Sequence, residues 1–212
     1  MEGKDKGAKK IRLKPIEVQI IWLFVVLGLV LVSFLVSYKY FKPSTSFNYN
    51  EFTVFKSQIK GIAVDFYLIP IQVSGGKATN IVLRTDPRNT TGINYTLGDV
   101  SFGGISKIWL TTDPDYDSYA IIASKEIGAF TSTIGLSTSY ALTKKKAGDF
   151  PTMTCANSTK EIRVIDLRIA NSTSVYAEGN CIVVAGTDYP QLIAASDKLV
   201  LEWLNRLYKG SK

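Results

Sequence analysis

The sequence predicts an α/β or α+β fold in which a mixed β-sheet is packed by two main amphipathic helices and preceded by one transmembrane helix. Three observations predict it. A single apolar stretch, Ile20 to Ser37, contains no charged side chain. Beyond it, short segments of alternating apolar and polar residues recur between clusters of Gly, Pro, Asn and Asp. Between these lie two segments whose apolar residues return every three or four positions, the period of a helix with one buried face. Strands interleaved with helices bury their apolar surfaces most simply as a sheet with helices on a face.

The apolar stretch comes first. At ~1.5 Å per residue, the ~20 residues from Ile20 to Lys39 cover the ~30 Å of a bilayer's hydrocarbon. Lys4, Lys6, Lys9, Lys10, Arg12 and Lys14 precede it, against Lys39 and Lys42 just after, so the N-terminus is expected in the cytoplasm. Trp22 on the inner side and Tyr38, Tyr40 and Phe41 on the outer side sit where amphipathic rings prefer the headgroups. A cleaved signal peptide would have a shorter core and a small-x-small site, whereas this core runs into Ser37-Tyr-Lys-Tyr-Phe. Ser33 and Ser37, with Gly28 a turn above, form a small-residue stripe that either admits a partner helix or faces lipid. The expected membrane contacts are therefore Trp22, Gly28, Ser33, Ser37 and Tyr38. The organisation expected is a basic cytoplasmic tail over 1–17, a transmembrane helix over 18–41, a stalk over 42–60 and an extracytoplasmic domain over 61–212.

Two features beyond the span agree with an exterior domain. Cys155 and Cys181 are the only cysteines, and an even count in a secreted context favours a disulfide over two buried thiols. Asn89, Asn94, Asn157 and Asn171 each begin an Asn-x-Ser/Thr glycosylation acceptor, all in segments read as loops.

Charge and composition exclude more than they specify. Of the net charge of +7, the first 17 residues supply +3, six cations against three acids, leaving +4 on the rest. A basic tail beside a span sets topology and touches anionic lipid, and no basic-aromatic stripe points to nucleic acid. The chain has no histidine, which removes Ser-His-Asp and Cys-His catalysis and the commonest metal ligand. No cofactor and no small-molecule substrate are expected.

Within the domain, extended structure is expected from Phe52. Phe66–Val73 and Asn80–Arg84 read as a hairpin across Ser74–Lys77, with Pro70 demanding an edge or a bulge because it cannot donate to a ladder. Ile105–Leu110 reads as a strand. Asp113-Pro-Asp115-Tyr-Asp117 then leads into a helix, with Asp113 or Asp115 as its cap. In that helix Tyr116, Ala120, Ala123, Ile127 and Phe130 share a face, and Asp117, Lys125 and Glu126 fall elsewhere. Ser137–Thr143 and Ile162–Ile169 read as strands, the latter with Ile162 and Val164, or also Ile165, inward. Val175–Ala177 and Cys181–Val184 flank a tight turn at Glu178-Gly-Asn180. A last helix opens near Asp188, carries Pro190 in its first turn, buries Leu192, Leu199, Trp203 and Leu207, and stops near Gly210.

The acidic run Asp113, Asp115 and Asp117 resembles the start of a calcium loop, but its sixth and twelfth positions are Ser118 and Ser124 in place of glycine and glutamate, so helix capping is the reading preferred. Asp65, Asp86, Asp99, Asp113, Glu126, Asp166 and Asp197 read as caps and surface acids, with no sequence signal pairing any two for glycosidase-type chemistry. Ser57 and Lys60 read as a loop at a strand margin, not as a hydrolase box. No phosphate loop, dinucleotide fingerprint or nucleophile elbow is present.

Thr85-Asp-Pro-Arg88, Asp113-Pro-Asp115 ahead of a helix, Cys155-Ala-Asn-Ser-Thr159 before Val164-Ile-Asp-Leu167, and Cys181-Ile-Val-Val-Ala-Gly186 leading into Ala194–Leu199 resemble a family of uncharacterised archaeal envelope proteins with one N-terminal span. The resemblance implies an exterior location and a paired Cys155 and Cys181, and carries no catalytic residue. The functional expectation is an accessory or scaffold subunit of an envelope or membrane complex, in contact with lipid and with partner subunits such as an export or glycosylation machine. A surface-layer or filament protein and a histidine-free hydrolase are the alternatives.

Overall fold

The computed structural model describes residues 15–40, 45–58, 64–73, 76–97, 104–146 and 148–209. The chain divides into two units, Met1–Ser44 and Thr45–Lys212.

In the first unit one helix, α1, runs Pro15–Tyr40, and every side chain described in it is exposed, from Val25 at 46% to Phe34 at 68%. Among the described residues no helix is long and apolar enough to cross a membrane. The ends of the expected span, including Phe41 and the side chains of Ser37 and Tyr38, lie outside the described residues, as do the cations of the tail.

The second unit holds two sheets. Strands β1 (Ser46–Tyr49), β2 (Phe52–Gln58), β3 (Asp65–Gln72) and β4 (Ala78–Leu83) form an antiparallel meander in sequence order. The segment expected as a stalk is therefore, from Ser46 to Gln58, part of the folded unit. Its alternation explains why: Phe52 and Val54 are buried while Thr53 and Phe55 are exposed, and one buried face obliges a strand to join a sheet. Ser57 lies in β2, and Lys60 lies outside the described residues, as does part of the Ser74–Lys77 turn. The hairpin β3–β4 forms in the register Tyr67↔Leu83 to Gln72↔Ala78. Pro70 sits in an inner strand, yet β2 pairs with β3 only as far as Leu68, so at Pro70 the strand has a neighbour on one side alone. The missing N–H thus costs no ladder bond.

The second sheet has the order β5-β9-β10-β8-β6-β7, from β5 (Asn94–Thr96), β6 (Lys107–Thr112), β7 (Ser137–Leu142), β8 (Ile162–Ile169), β9 (Ser174–Glu178) and β10 (Cys181–Gly186). β7, β6, β8 and β10 are mutually parallel and β9 is antiparallel to β10. Gly179, at φ +61, makes the two-residue β9–β10 turn that the sequence signals. Helix α2 (Ser118–Thr133) links β6 to β7, and α3 (Tyr189–Lys209) follows β10. The cap of α2 is Asp117, not Asp113 or Asp115: its carboxylate accepts the Tyr119 N–H at 2.8 Å, while Asp113 accepts the Asp115 N–H and pairs with Lys144 at 2.7 Å.

Both helices lie between the two sheets. Ile108 and Leu110 of β6, Ile165 and Leu167 of β8, and Ile182 and Val184 of β10 share one buried cluster with α2, α3 and with Val54, Ile69, Ile81 and Leu83 of the meander. Helix α3 is the clearest consequence: from Ala194 to Leu201 every residue is buried, more than two full turns, as a helix covered on opposite sides must be. Leu192, Leu199 and Trp203 are buried as expected, but Leu207 is 37% exposed, beside an open cavity that it lines with Ile71 and Val73. In β8 it is Ile165 and Leu167 that face the helices, while Val164 is buried on the opposite face with Asp166. At the β10–α3 junction Gly186 touches the backbone of Leu192, leaving no room for a Cβ.

Cys155 and Cys181 form a disulfide with 2.08 Å between the sulfurs. It ties the 3-10 turn Cys155–Asn157 to the start of β10, across the sheet face away from the helices. Ser158 reinforces the same tether, its hydroxyl donating to Asn180 O at 2.7 Å and accepting the Val164 N–H. Beside it, Arg168 makes a two-pronged contact to Asp166 at 2.6 and 2.9 Å and reaches Glu178 at 3.2 Å. Burial raises the Asp166 carboxyl, against the opposing pull of Arg168.

Candidate functional site

Two places in the second unit bring chemically distinctive side chains together. The first is a buried charge cluster where the end of β4 meets both helices. Asp197 of α3 is fully buried, and its Oδ2 accepts the backbone N–H groups of Thr85 at 2.7 Å and Arg84 at 3.1 Å. Arg84 Nε lies 2.5 Å from Glu126 Oε1 of α2, and its guanidinium covers the Phe66 ring at 5.2 Å. The Arg84–Glu126 contact is a charge pair and not an aligned hydrogen bond, since neither Glu126 oxygen receives a directed donor.

The sequence reads Glu126, Asp166 and Asp197 as caps or surface acids, and all three expectations are corrected, since each carboxyl group is buried. On a helix with one partner Glu126 would be at the margin, but the meander sheet covers that margin and leaves its side chain 9% exposed. Asp65, by contrast, is an outward partner of Lys56, and Asp86 caps the 3-10 turn Pro87–Thr90, so for these two the sequence reading stands. Asp99 lies outside the described residues.

The charge balance of the cluster dictates its protonation. One guanidinium and two carboxylates would bury a net negative charge, which low-dielectric surroundings penalise strongly. Glu126 Oε2 and Asp197 Oδ1 are buried without donors and each carboxyl group shifts the other's titration, so one proton held by the pair relieves both. Burial, and then the Asp197 charge, push the Glu126 carboxyl far above its ordinary range. Burial also raises Asp197, but the Thr85 and Arg84 donors favour its anion, so Glu126 is the group that holds the proton. A pocket of about 320 Å³ opens nearby between β4 and α2, lined by Asn80, Arg84, Ile122 and Glu126 among others. The carboxyl oxygens of Glu126 are nevertheless sealed from it.

The second place is an apolar groove of about 550 Å³ between α2 and β7. Leu110, Ile121, Tyr140, Leu142 and Phe150 line it, with Lys125 and Lys146 at its rim. Ile121 is 50% exposed, Tyr140 46% and Phe150 68%, so three large apolar side chains from separate segments lie open to solvent around it. Gly128 lets the Tyr140 ring lie close against α2, since an added Cβ there would collide with its hydroxyl. Ile121 is legible as an outward apolar residue of the predicted helix, but nothing local places it beside Tyr140 and Phe150.

The four glycosylation acceptors are all exposed. Asn94 lies in strand β5 and not in a loop, Asn171 lies in the β8–β9 connection, and Asn89 lies in the 3-10 turn before β5. Three of the four thus gather around the β5 edge of the six-stranded sheet, and Asn157 is in the turn that carries Cys155. The β7 edge has none. Trp22, Gly28 and Ser33 are exposed on α1. Among the described residues no three His, Cys, Asp or Glu side chains are grouped to hold a metal ion.

By architecture the protein is an α/β protein whose described residues form two sheets and three helices. Comparison with protein-family models, with curated proteins and with solved structures finds no match.

Proposed function

We propose that this protein is a single-span membrane protein whose extracytoplasmic domain works by protein–protein contact, as an accessory or scaffold subunit of an envelope or membrane complex. The observation that carries the reading is the apolar groove between α2 and β7, exposed at the one edge of the six-stranded sheet that bears no glycosylation acceptor. An apolar surface of this kind on a stable domain is a contact surface awaiting a partner. The uncharged run from Ile20 to Ser37 and the exposed apolar side chains of α1 support the anchor. The Cys155–Cys181 disulfide supports an oxidising compartment for the domain.

The test is photo-crosslinking in native membranes, with a benzophenone side chain at Ile121 of the full chain and mass spectrometry of the adduct. A discrete subunit attached at that position is the expected result; monomer alone would defeat the proposal, and regular self-adducts would favour a filament. A histidine-free hydrolase draws on Glu126 and Asp197 beside the smaller pocket. Sealed carboxyl oxygens speak against it, because a general acid must reach its substrate. Hydrolysis of a glycoside or ester that Glu126→Gln abolishes, in a variant of undiminished stability, would revive that reading.

A further inference from the structure

Resting on the contact reading, we propose that β7 takes up an extended segment of the partner, which continues the sheet beyond Thr138 and Tyr140, sets an apolar side chain in the groove against α2, and places acidic side chains near Lys125, Lys145 and Lys146. The backbone supplies the first argument. Leu142 donates its N–H to Pro151 O at 2.9 Å and accepts the Met153 N–H at 2.9 Å, both on the side away from β6, while Thr143 donates back to Thr112 O of β6. Strand alternation then directs the N–H and C=O of Tyr140 and Thr138 to the same outer side as those of Leu142. Among the described residues β7 has a neighbour on that side only at the isolated bridge Leu142↔Thr152. Among the described residues nothing just before Pro151 is hydrogen-bonded to the backbone of β7, so the chain's own pairing stops where the open backbone begins.

The two edges of this sheet are treated differently. Edge strands are ordinarily blunted by brevity, charge, proline or a covering group. β5 is three residues long and bears the acceptor Asn94. β7, Ser-Thr-Ser-Tyr-Ala-Leu, is six residues long with neither charge nor proline. An unprotected edge beside an apolar groove is the arrangement by which strand addition combines main-chain hydrogen bonds with a side-chain pocket. Charge selects the partner. Lys125 is exposed at the rim with no ion-pair partner among the described residues, Lys145 lies in the adjoining lysine run, and Lys146 is held at the rim by its bond to Pro114 O at 2.7 Å. A segment with acids flanking an apolar residue complements this rim.

The experiment is selection of a random peptide library displayed on phage against the full chain in detergent, followed by synthesis of the enriched peptides. Expected are sequences in which an apolar residue is flanked by Asp or Glu, and slowed amide exchange at Thr138 and Tyr140 on binding. Binding should weaken by at least about tenfold with Lys125→Glu, with Ile121→Asp, or with N-methylation of alternate peptide amides. Both substitutions are at exposed positions, and unchanged melting of the variants excludes unfolding as the cause. No enrichment, indifference to N-methylation, or protection away from β7 would overturn the proposal. So would displacement of the peptides by sodium dodecanoate that leaves Thr138 and Tyr140 unprotected, which would make the groove an amphiphile site. If Ile121 crosslinking still captures a subunit while the peptide arms fail, strand addition falls and the contact function stands.

Discussion

Replacing Glu126 by glutamine tests the buried cluster at its central assumption, that the folded protein holds a proton there which the unfolded chain does not. The ordinary Glu value is 4.5, and the folded carboxyl is raised above it by burial and by Asp197. Between those two values the unfolded state binds fewer protons than the folded state, so stability is fully present at acidic pH and falls as pH rises. A full proton of difference is worth about 1.4 kcal/mol per pH unit, hence about 2.7 kcal/mol lost between about pH 5 and about pH 7. Glutamine keeps the shape and offers an N–H to Asp197 Oδ1, while Arg84 and Asp197 balance each other without any proton. The variant should therefore show a much flatter profile above about pH 5, and should match or exceed the wild type at neutral pH. Urea unfolding of the full chain in detergent, followed through the fluorescence of buried Trp203, measures both curves. Asp166 is also raised and tilts both proteins alike, so the difference between the curves reports the Glu126–Asp197 pair. Asp65, Asp86 and Asp113 are lowered, and their effects belong to more acidic solutions. A wild-type profile parallel to that of Glu126→Gln, or one that rises toward neutrality, would refute the shared proton.

Other perturbations follow from the same packing. Asp197→Ala strands the N–H groups of Arg84 and Thr85 and leaves Arg84 facing Glu126 alone, for a loss of about 3–5 kcal/mol by denaturant unfolding. Gly186→Ala sets a methyl group against the Leu192 backbone, which cannot yield as a side chain would, and should cost about 3 kcal/mol, read as a lowered unfolding midpoint. Reduction of Cys155–Cys181, or its replacement by serines, should cost about 2–4 kcal/mol while far-UV circular dichroism keeps its native shape. Gln substitutions at Asn89, Asn94, Asn157 and Asn171 should each remove one glycan mass from the protein isolated from its own cells.

Local chemistry was readable wherever one turn or one face decided the outcome. The β3–β4 and β9–β10 hairpins follow from alternation and turn residues, α2 and α3 from their period, and the disulfide from two cysteines that have only each other. The capping aspartate was misplaced within its own short run, because Asp113, Asp115 and Asp117 offer similar side chains and only the helix axis selects Asp117. The missed burial of Asp197 left only a partial trace: apart from Asp197 and Lys198 themselves, Ala194–Leu201 is small or apolar, as suits an element covered on more than one side.

What the chain determined by itself, then, is the two helices of the domain with their apolar faces and most of the strands, since helical and strand periods are properties of consecutive residues. Tertiary structure alone decided that Ser46–Gln58 completes a second sheet, that this sheet closes over the margin of α2, and that Glu126 thereby meets Asp197 and Arg84. It also brought Ile121, Tyr140 and Phe150, distant in sequence, to one open edge. Each of these depends on a layer encoded elsewhere in the chain, and the sequence of an element carries its own period but not the identity of what will cover it.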